Sequence, residues 1–192
     1  VTLVGDSGPI TYKRSRRGNA PIDRAFAHVL AQRGAHQIRD FEPLGYDERQ
    51  FCSPGFDLPV GCLMRTPHGE FPEYHSSADD LEFVTPRALE DSLAALLAAL
   101  DVLERDRRYL NLAPRGEPQL GRRGLYRTTG GYYDGVADRQ MGLLWVLNQS
   151  DGQTSLLDIA ERSGLEFGLL AQCARDLEAA GLDLIWVAEA YG

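Results

Sequence analysis

Between Pro43 and Asp80 the chain places nine prolines and glycines in 38 residues: Pro43, Gly45, Pro54, Gly55, Pro59, Gly61, Pro67, Gly69 and Pro72. Proline lacks a backbone N–H and locks φ, so neither a long helix nor a central strand can run through this segment. Only Leu58–Met64 has strand character within it. An irregular stretch of this length inside a folded domain is a functional loop region rather than a connector.

Upstream, Val1–Val4 reads as a buried strand stopped by the turn-forming Gly5-Asp6-Ser7-Gly8-Pro9. Pro21 then sits at the first position of a helix with Asp23 in its first turn, and Ile22, Phe26, Val29 and Leu30 share one face until Gly34 stops it. Gln37–Phe41 reads as a strand. Downstream, Thr85-Pro86 opens a helix running to about Arg108, whose expected core-facing side is Leu89, Leu93, Leu96, Leu97, Leu100 and Leu103. Strands alternating with helices predict an α/β domain.

After a second irregular segment, Asn111–Gly131, the chain changes character, and the boundary is placed there: one domain over residues 1–131, another over 136–192. Met141–Leu147, Leu156–Arg162 and Phe167–Ala179 read as three helices and Leu184–Val187 as a strand, the pattern of a winged helix with a small wing. Trp186 and Tyr191 are its candidate contact aromatics. DNA affinity rests on Lys and Arg at the phosphates. From residue 136 on there are three arginines against nine acidic residues, net −6. This predicts no specific nucleic-acid binding, and a docking or dimerisation role for the winged helix, a homodimer included.

Across all 192 residues, 20 basic against 28 acidic side chains give −8, which argues against a surface that grips polyanions. No apolar run approaches the roughly 20 residues of a membrane span, so no membrane partner is expected. Cys52, Cys62 and Cys173 are too few and odd in number for a disulfide scaffold, and a cytoplasmic location with reduced thiols is expected. The chain opens on Val1 without an initiator Met, which reads as a processed or truncated product.

Two positions draw attention as metal ligands. His75 lies in Glu73-Tyr74-His75-Ser76-Ser77-Ala78-Asp79-Asp80, where a neutral imidazole could ligate zinc and a nearby carboxylate orient it. Asp6 follows an apolar strand, at the edge where open α/β sheets carry ligand-binding groups. Each has a plain alternative, a surface or capping histidine and an ordinary turn. The basic run Lys13–Arg17 suits a carboxylate or phosphate, or a solvated loop.

Taken together, Asp6, Asp47-Glu48-Arg49-Gln50-Phe51, Gly55–Gly61 with its Leu58-Pro59, and Tyr74-His75 with Asp79 resemble the co-catalytic di-zinc aminopeptidases. In that family a strand-end Asp is followed by an Asp-His/X-x-x-Phe segment, a Gly-Ile-Pro before a strand, and His-Thr-x-x-Asp. Glu48 stands where many members have His, and Ser76 where they have Thr. Tyr12–Arg17, Tyr46–Val60, Gly116–Tyr126, and Asp151-Gly152 with Leu156–Ala160 look like one bacterial branch. That branch is associated with polysaccharide biosynthesis and ends in a winged helix.

The resemblance implies that residues 1–131 are the C-terminal part of a zinc-aminopeptidase-like three-layer α/β domain. It implies amide hydrolysis at an N-terminal amino acid or amino-acyl group, with a small peptide or amino-acyl substrate and two Zn²⁺ ions. Asp6 and His75 would be metal ligands lying near each other, Asp47, Arg49 and Tyr74 would face substrate, and Asp79 would orient the site. The first His, the bridging Asp and the Glu pair of the family are not in this chain. Its site is therefore expected to be incomplete, without tightly held zinc or turnover of its own. No catalytic residue is assigned. The alternative is a non-catalytic binding or scaffold protein that uses the winged helix for protein–protein contact.

Overall fold

In a computed structural model that describes residues 1–126, 136–182 and 184–187, the chain divides into two compact units between Leu103 and Glu104. Gly130, Gly131 and Tyr191 lie outside the described residues. The division falls well before the residue-131 boundary suggested by composition.

The first unit is built on a strand the sequence pattern hides. β1 (Ile10–Lys13) is buried at every position and lies between β2 (His36–Arg39) and β3 (Cys62–Met64). β1 pairs parallel with β2, Ile10 opposite His36, and antiparallel with β3, Tyr12 opposite Leu63. A parallel pair needs a crossover, and α1 (Pro21–Ala31) supplies it, burying Ala25, Phe26, Val29 and Leu30. The Phe26 ring stacks on Tyr12 at 4.4 Å between centroids. Val1–Val4 does not form a regular strand. Thr2 N donates to Leu63 O and Arg65 N to Leu3 O, but Leu3 has φ 49°, which breaks the extended run beside β3. Leu58–Val60 is likewise loop, leaving only Cys62–Met64 as strand, and a short helix, α2 (Asp47–Phe51), appears inside the irregular stretch.

The turn from β1 into α1 is organised by one side chain. The buried Asp23 carboxylate accepts from the Tyr12 hydroxyl (2.9 Å), Ser15 N (2.7 Å), Ser15 Oγ (2.6 Å) and Ala20 N (3.0 Å). At the third helical position it satisfies donors that would otherwise be orphaned at the helix entry.

α3 (Pro86–Arg105) corrects the expectation for its apolar side. Ala88, Ser92, Ala95, Ala99 and Val102 are buried, whereas Leu89, Leu93, Leu97 and Leu100 are 43–55% exposed. Small side chains allow close approach of the backbone, and the inward stripe is fixed by polar contacts. Ser92 Oγ donates to Val4 O at 3.0 Å, Thr85 N to Gly5 O at 2.8 Å, and Asp91 accepts from Arg33 and Arg65.

The second unit holds β4 (Arg108–Asn111), α4 (Val136–Gln149), β5 (Asp151–Ser155), α5 (Leu156–Ser163), α6 (Phe167–Ala179) and β6 (Leu184–Val187). The sheet runs β5-β4-β6, with β4 antiparallel to both neighbours, Arg108 opposite Ser155 and Val187. Three helices and this sheet make a winged helix whose first strand precedes the expected boundary. β4 can pair only within this unit, so residues 104–126 belong to it. Ser155 caps α5, its Oγ accepting from Asp158 N while Asp158 accepts from Ser155 N at 2.7 Å. Among the described residues no helix is long and apolar enough to cross a membrane.

Replacing Asp23 by Ala orphans four buried donors at once and is expected to cost at least about 3 kcal/mol, because bonds to a charged acceptor contribute ~1.5–3 kcal/mol each. Tyr12→Phe removes one donor and leaves the other three, so a loss near 1 kcal/mol is expected. Urea denaturation of the two variants against the parent chain checks both the size and the order.

Candidate metal centre

Asp6 sits in a turn that the surrounding residues hold rigidly. Its side chain is 4% exposed. Oδ1 accepts from Gly8 N and Thr66 Oγ1, both at 2.7 Å, and Oδ2 accepts from Thr66 N at 3.2 Å. Thr66 follows β3, so the carboxylate ties the turn to that strand end. Arg65 Nε donates to Gly8 O at 2.8 Å and reaches Asp91 on α3 with Nη1 at 2.9 Å. Two arginines hold the Asp91 carboxyl below its ordinary range, first through the Arg65 hydrogen bond and then through Arg33, together outweighing the opposing effect of burial. Gly8 has no room for a side chain, since a Cβ there would come within 2.2 Å of Thr66 Oγ1 and 2.7 Å of Asp6 Oδ1.

His75 follows β3 in the chain, on a loop shaped by rings. Phe71 stacks on Phe83 and meets Tyr74 edge-on, and Tyr74 stacks on His75 at 4.0 Å. His75 is exposed and has φ 57°, a backbone conformation uncommon outside glycine. The Tyr74 hydroxyl lies 3.1 Å from that of Tyr46, whose ring packs edge-on against His68. That contact, then burial, holds the Tyr46 phenol above its ordinary pKa.

The loop bearing the expected substrate-facing residues is anchored from β1. Lys13 Nζ donates to Leu44 O at 2.5 Å and to Glu48 Oε1 at 2.6 Å, and both side chains are buried. Glu48 also accepts from Tyr46 N at 3.1 Å, closing the entry to α2. Burial pushes the Glu48 carboxyl up, but the Lys13 hydrogen bond and charge with the backbone donors outweigh it, and the net shift is downward. At Gly45 φ is +137° and a Cβ would lie 2.1 Å from Glu48 Oε1, so only glycine suits this turn.

Asp47 and Arg49 on α2, and Asp79 beyond His75, are exposed. Arg16 and Arg17 are engaged, converging on the two oxygens of Asp57 at 3.1 and 3.2 Å. Thr66, Tyr46 and Arg65 escape the sequence reading because their contacts span 28 to 60 residues of chain. The cysteines are free and buried. Burial pushes the Cys173 thiol up to about 11, and raises Cys62 through burial and then Glu48, away from reactivity.

Carboxylate and imidazole are donors that zinc accepts, and Oδ2 of Asp6, with a single hydrogen bond, keeps a lone pair open. A zinc site normally needs three or more protein donors. No group of three His, Cys, Asp or Glu side chains suited to a metal occurs among the described residues. The two residues fit a metal as contributors and do not complete its site.

Residues 1–106 match the family model described as a domain of unknown function, DUF4910. Residues 107–184 match a winged helix-turn-helix model. Over 168 residues the chain is 50% identical to a Clostridium acetobutylicum protein named "Putative polysaccharide biosynthesis protein with aminopeptidase-like domain", covering 87% of this chain and 38% of that protein. It also superposes, with a TM-score of 0.85 and 43% identity, on a crystal structure of a "putative peptidase" from Clostridium acetobutylicum, over 96% of this chain and 40% of the other. The chain thus spans about two fifths of the length of these relatives.

Two outcomes follow from this geometry. Gly8→Ala forces the Asp6 turn apart and is expected to destabilise the chain by about 1–3 kcal/mol, the cost of overpacking, as read by thermal denaturation. A carboxyl whose folded pKa is depressed contributes stability above its unfolded value, 4.5 for Glu48, and loses it as pH falls through the lower folded value. Stability is therefore expected to drop on acidification below about pH 4.5, with a shallower slope in Glu48→Gln, measured by urea denaturation at pH steps.

Proposed function

This chain belongs to the DUF4910 family, and on that premise we propose that it forms part of an aminopeptidase-like hydrolase, to which it contributes two metal ligands, Asp6 and His75. The observation that carries the reading is the buried Asp6 carboxylate, fixed by Gly8 and Thr66 with one lone pair free, in a chain that superposes on a peptidase-like relative. A carboxylate immobilised in this way suits a metal ligand, because supporting hydrogen bonds orient the donor. His75, exposed on a ring-packed loop, suits the second position.

The proposed reaction is hydrolysis of an amide at an N-terminal amino acid or amino-acyl group, in a biosynthetic setting such as the one the relative's name gives. Two Zn²⁺ ions are the proposed cofactors, and they would supply a hydroxide and polarise the scissile carbonyl. The chain's own residues have separate tasks. Thr66 and Gly8 orient Asp6, Tyr74 supports the His75 loop, and Lys13 with Glu48 fixes the loop that presents Asp47 and Arg49 toward a small peptide or amino-acyl substrate. Asp79 is proposed to orient the site. The winged helix is proposed as a protein-docking module without specific nucleic-acid binding.

The test has two arms. Cobalt or zinc titrated into the 192-residue chain is expected to bind weakly and shift the His75 ring resonances in NMR, with loss of that shift in both Asp6→Asn and His75→Ala. A shift that persists in Asp6→Asn would separate the two residues and overturn the pairing. In the natural gene product containing this chain, either substitution is expected to lower hydrolysis of aminoacyl anilides by more than the ~10–100-fold that loss of a supporting partner costs, with Thr66→Val inside that smaller range. Unchanged turnover in His75→Ala would rule out its role as a ligand.

A further inference from the structure

The second unit carries a groove of about 460 Å³ that plays no part in the proposed hydrolysis. Its floor is one face of α4, where Met141, Leu144, Trp145 and Asn148 recur at i, i+3, i+4 and i+7. The opposite face of α4 is spent on the core, with Leu143 and Val146 fully buried. The far wall is the 111–117 segment, contributing Pro114 and Glu117. Asn111 shapes that wall, donating to Leu147 O at 3.3 Å and accepting from Ala113 N at 3.0 Å, so its amide is committed to the fold.

The lining defines the chemistry of an occupant. Among the described residues, none that lines the groove is basic, and the single charged group is the Glu117 carboxylate. Glu117 accepts from the Tyr126 hydroxyl at 3.2 Å and has no cationic partner among the described residues. The rest of the lining includes an indole, a thioether and leucines. A carboxylate beside an indole face attracts a cation, whereas the apolar wall favours a hydrocarbon or aromatic body. A phosphate or carboxylate would meet the Glu117 carboxylate with no cation among the described lining residues to offset it. The volume falls in the range of small-molecule sites, which join apolar walls to a few placed polar groups.

We propose that this groove binds a small molecule bearing a protonated primary amine on an apolar body, the ammonium at Glu117 and the body against Trp145, Met141 and Leu144. The proposal does not depend on the metal-centre reading, since every residue it uses lies in the second unit.

Trp145 and Trp186 are the only tryptophans and Met64 and Met141 the only methionines, so the groove can be read directly. In the Trp186→Phe chain, Trp145 emission is followed while 2-phenylethylammonium, 2-phenylethanol and 3-phenylpropionate are titrated separately. Labelled methionine methyl groups report the same titrations by NMR. The ammonium probe is expected to saturate, to move the Met141 methyl and not Met64, and to bind at least about fivefold more tightly than the alcohol, with no saturation by the carboxylate. Glu117→Gln, an exposed substitution, is expected to abolish the preference for ammonium over alcohol while circular dichroism stays unchanged. Equal binding of the three probes, an unchanged preference in Glu117→Gln, no saturation by the ammonium, or a shift at Met64 alone would each overturn the proposal.

Discussion

Buried carboxylates hold the loops of the first unit, and the rest of that unit depends on them. Its central strand is four residues long, too short to position the chain around it by ladder bonds alone. Asp23 gathers four donors at the entry to α1, Asp6 gathers three between its turn and the end of β3, and Glu48 joins Lys13 to the entry of α2. Each carboxylate meets backbone N–H groups that burial would otherwise leave without water or partner, a large cost per group. The long irregular stretch is thus ordered by a few acceptors at its ends rather than by a core of its own.

These anchors also explain which parts of the fold were legible in the sequence. α1, α5 and α6 follow from helical periodicity, with Pro21 opening α1, because in each the apolar side is the buried side. β1 escaped because its last residue, Lys13, reads as the start of a basic loop. The distant Glu42 and Leu44 carbonyls and the Glu48 carboxylate make a buried lysine there tolerable. β4 escaped for a related reason, as Arg108 opens a strand that looks like a helix tail. In α3 the leucine count pointed to the wrong face, since periodicity identifies two apolar stripes on that helix and cannot say which one Ser92 and Asp91 turn inward.

The candidate site was legible only where it is local. Asp6, Tyr74 and His75 stand in short motifs whose order resembles a known pattern; in the structure Asp6 is buried and His75 stacks on Tyr74. What fixes them was not legible. Thr66 lies 60 residues from Asp6 and Tyr46 lies 28 from Tyr74, and no spacing rule links positions that meet only after the sheet has formed. Glu48 has a structural task of its own, a carboxylate that neutralises a buried lysine 35 residues away.

The moved boundary bears on the winged helix most of all. Counted from residue 104 the segment has ten arginines against thirteen acidic residues, net −3, half the negative charge found from residue 136. The sum no longer argues strongly against a polyanion, so the weight passes to where the arginines are. Arg107 lies over the Trp186 ring at 4.7 Å, Arg105 over Phe167 at 6.0 Å, and Arg139 is bound to Asp176 at 2.8 Å. On α6, the helix that would enter a groove of DNA, the exposed positions include Gln172, Arg175 and Glu178, and Arg175 donates to Gln172 at 2.5 Å. Phosphate binding needs cations with free donors on one face. Here Arg105, Arg107 and Arg139 are spent on rings and a carboxylate that brace the unit, and the one cation of α6, Arg175, is held by the amide oxygen of Gln172.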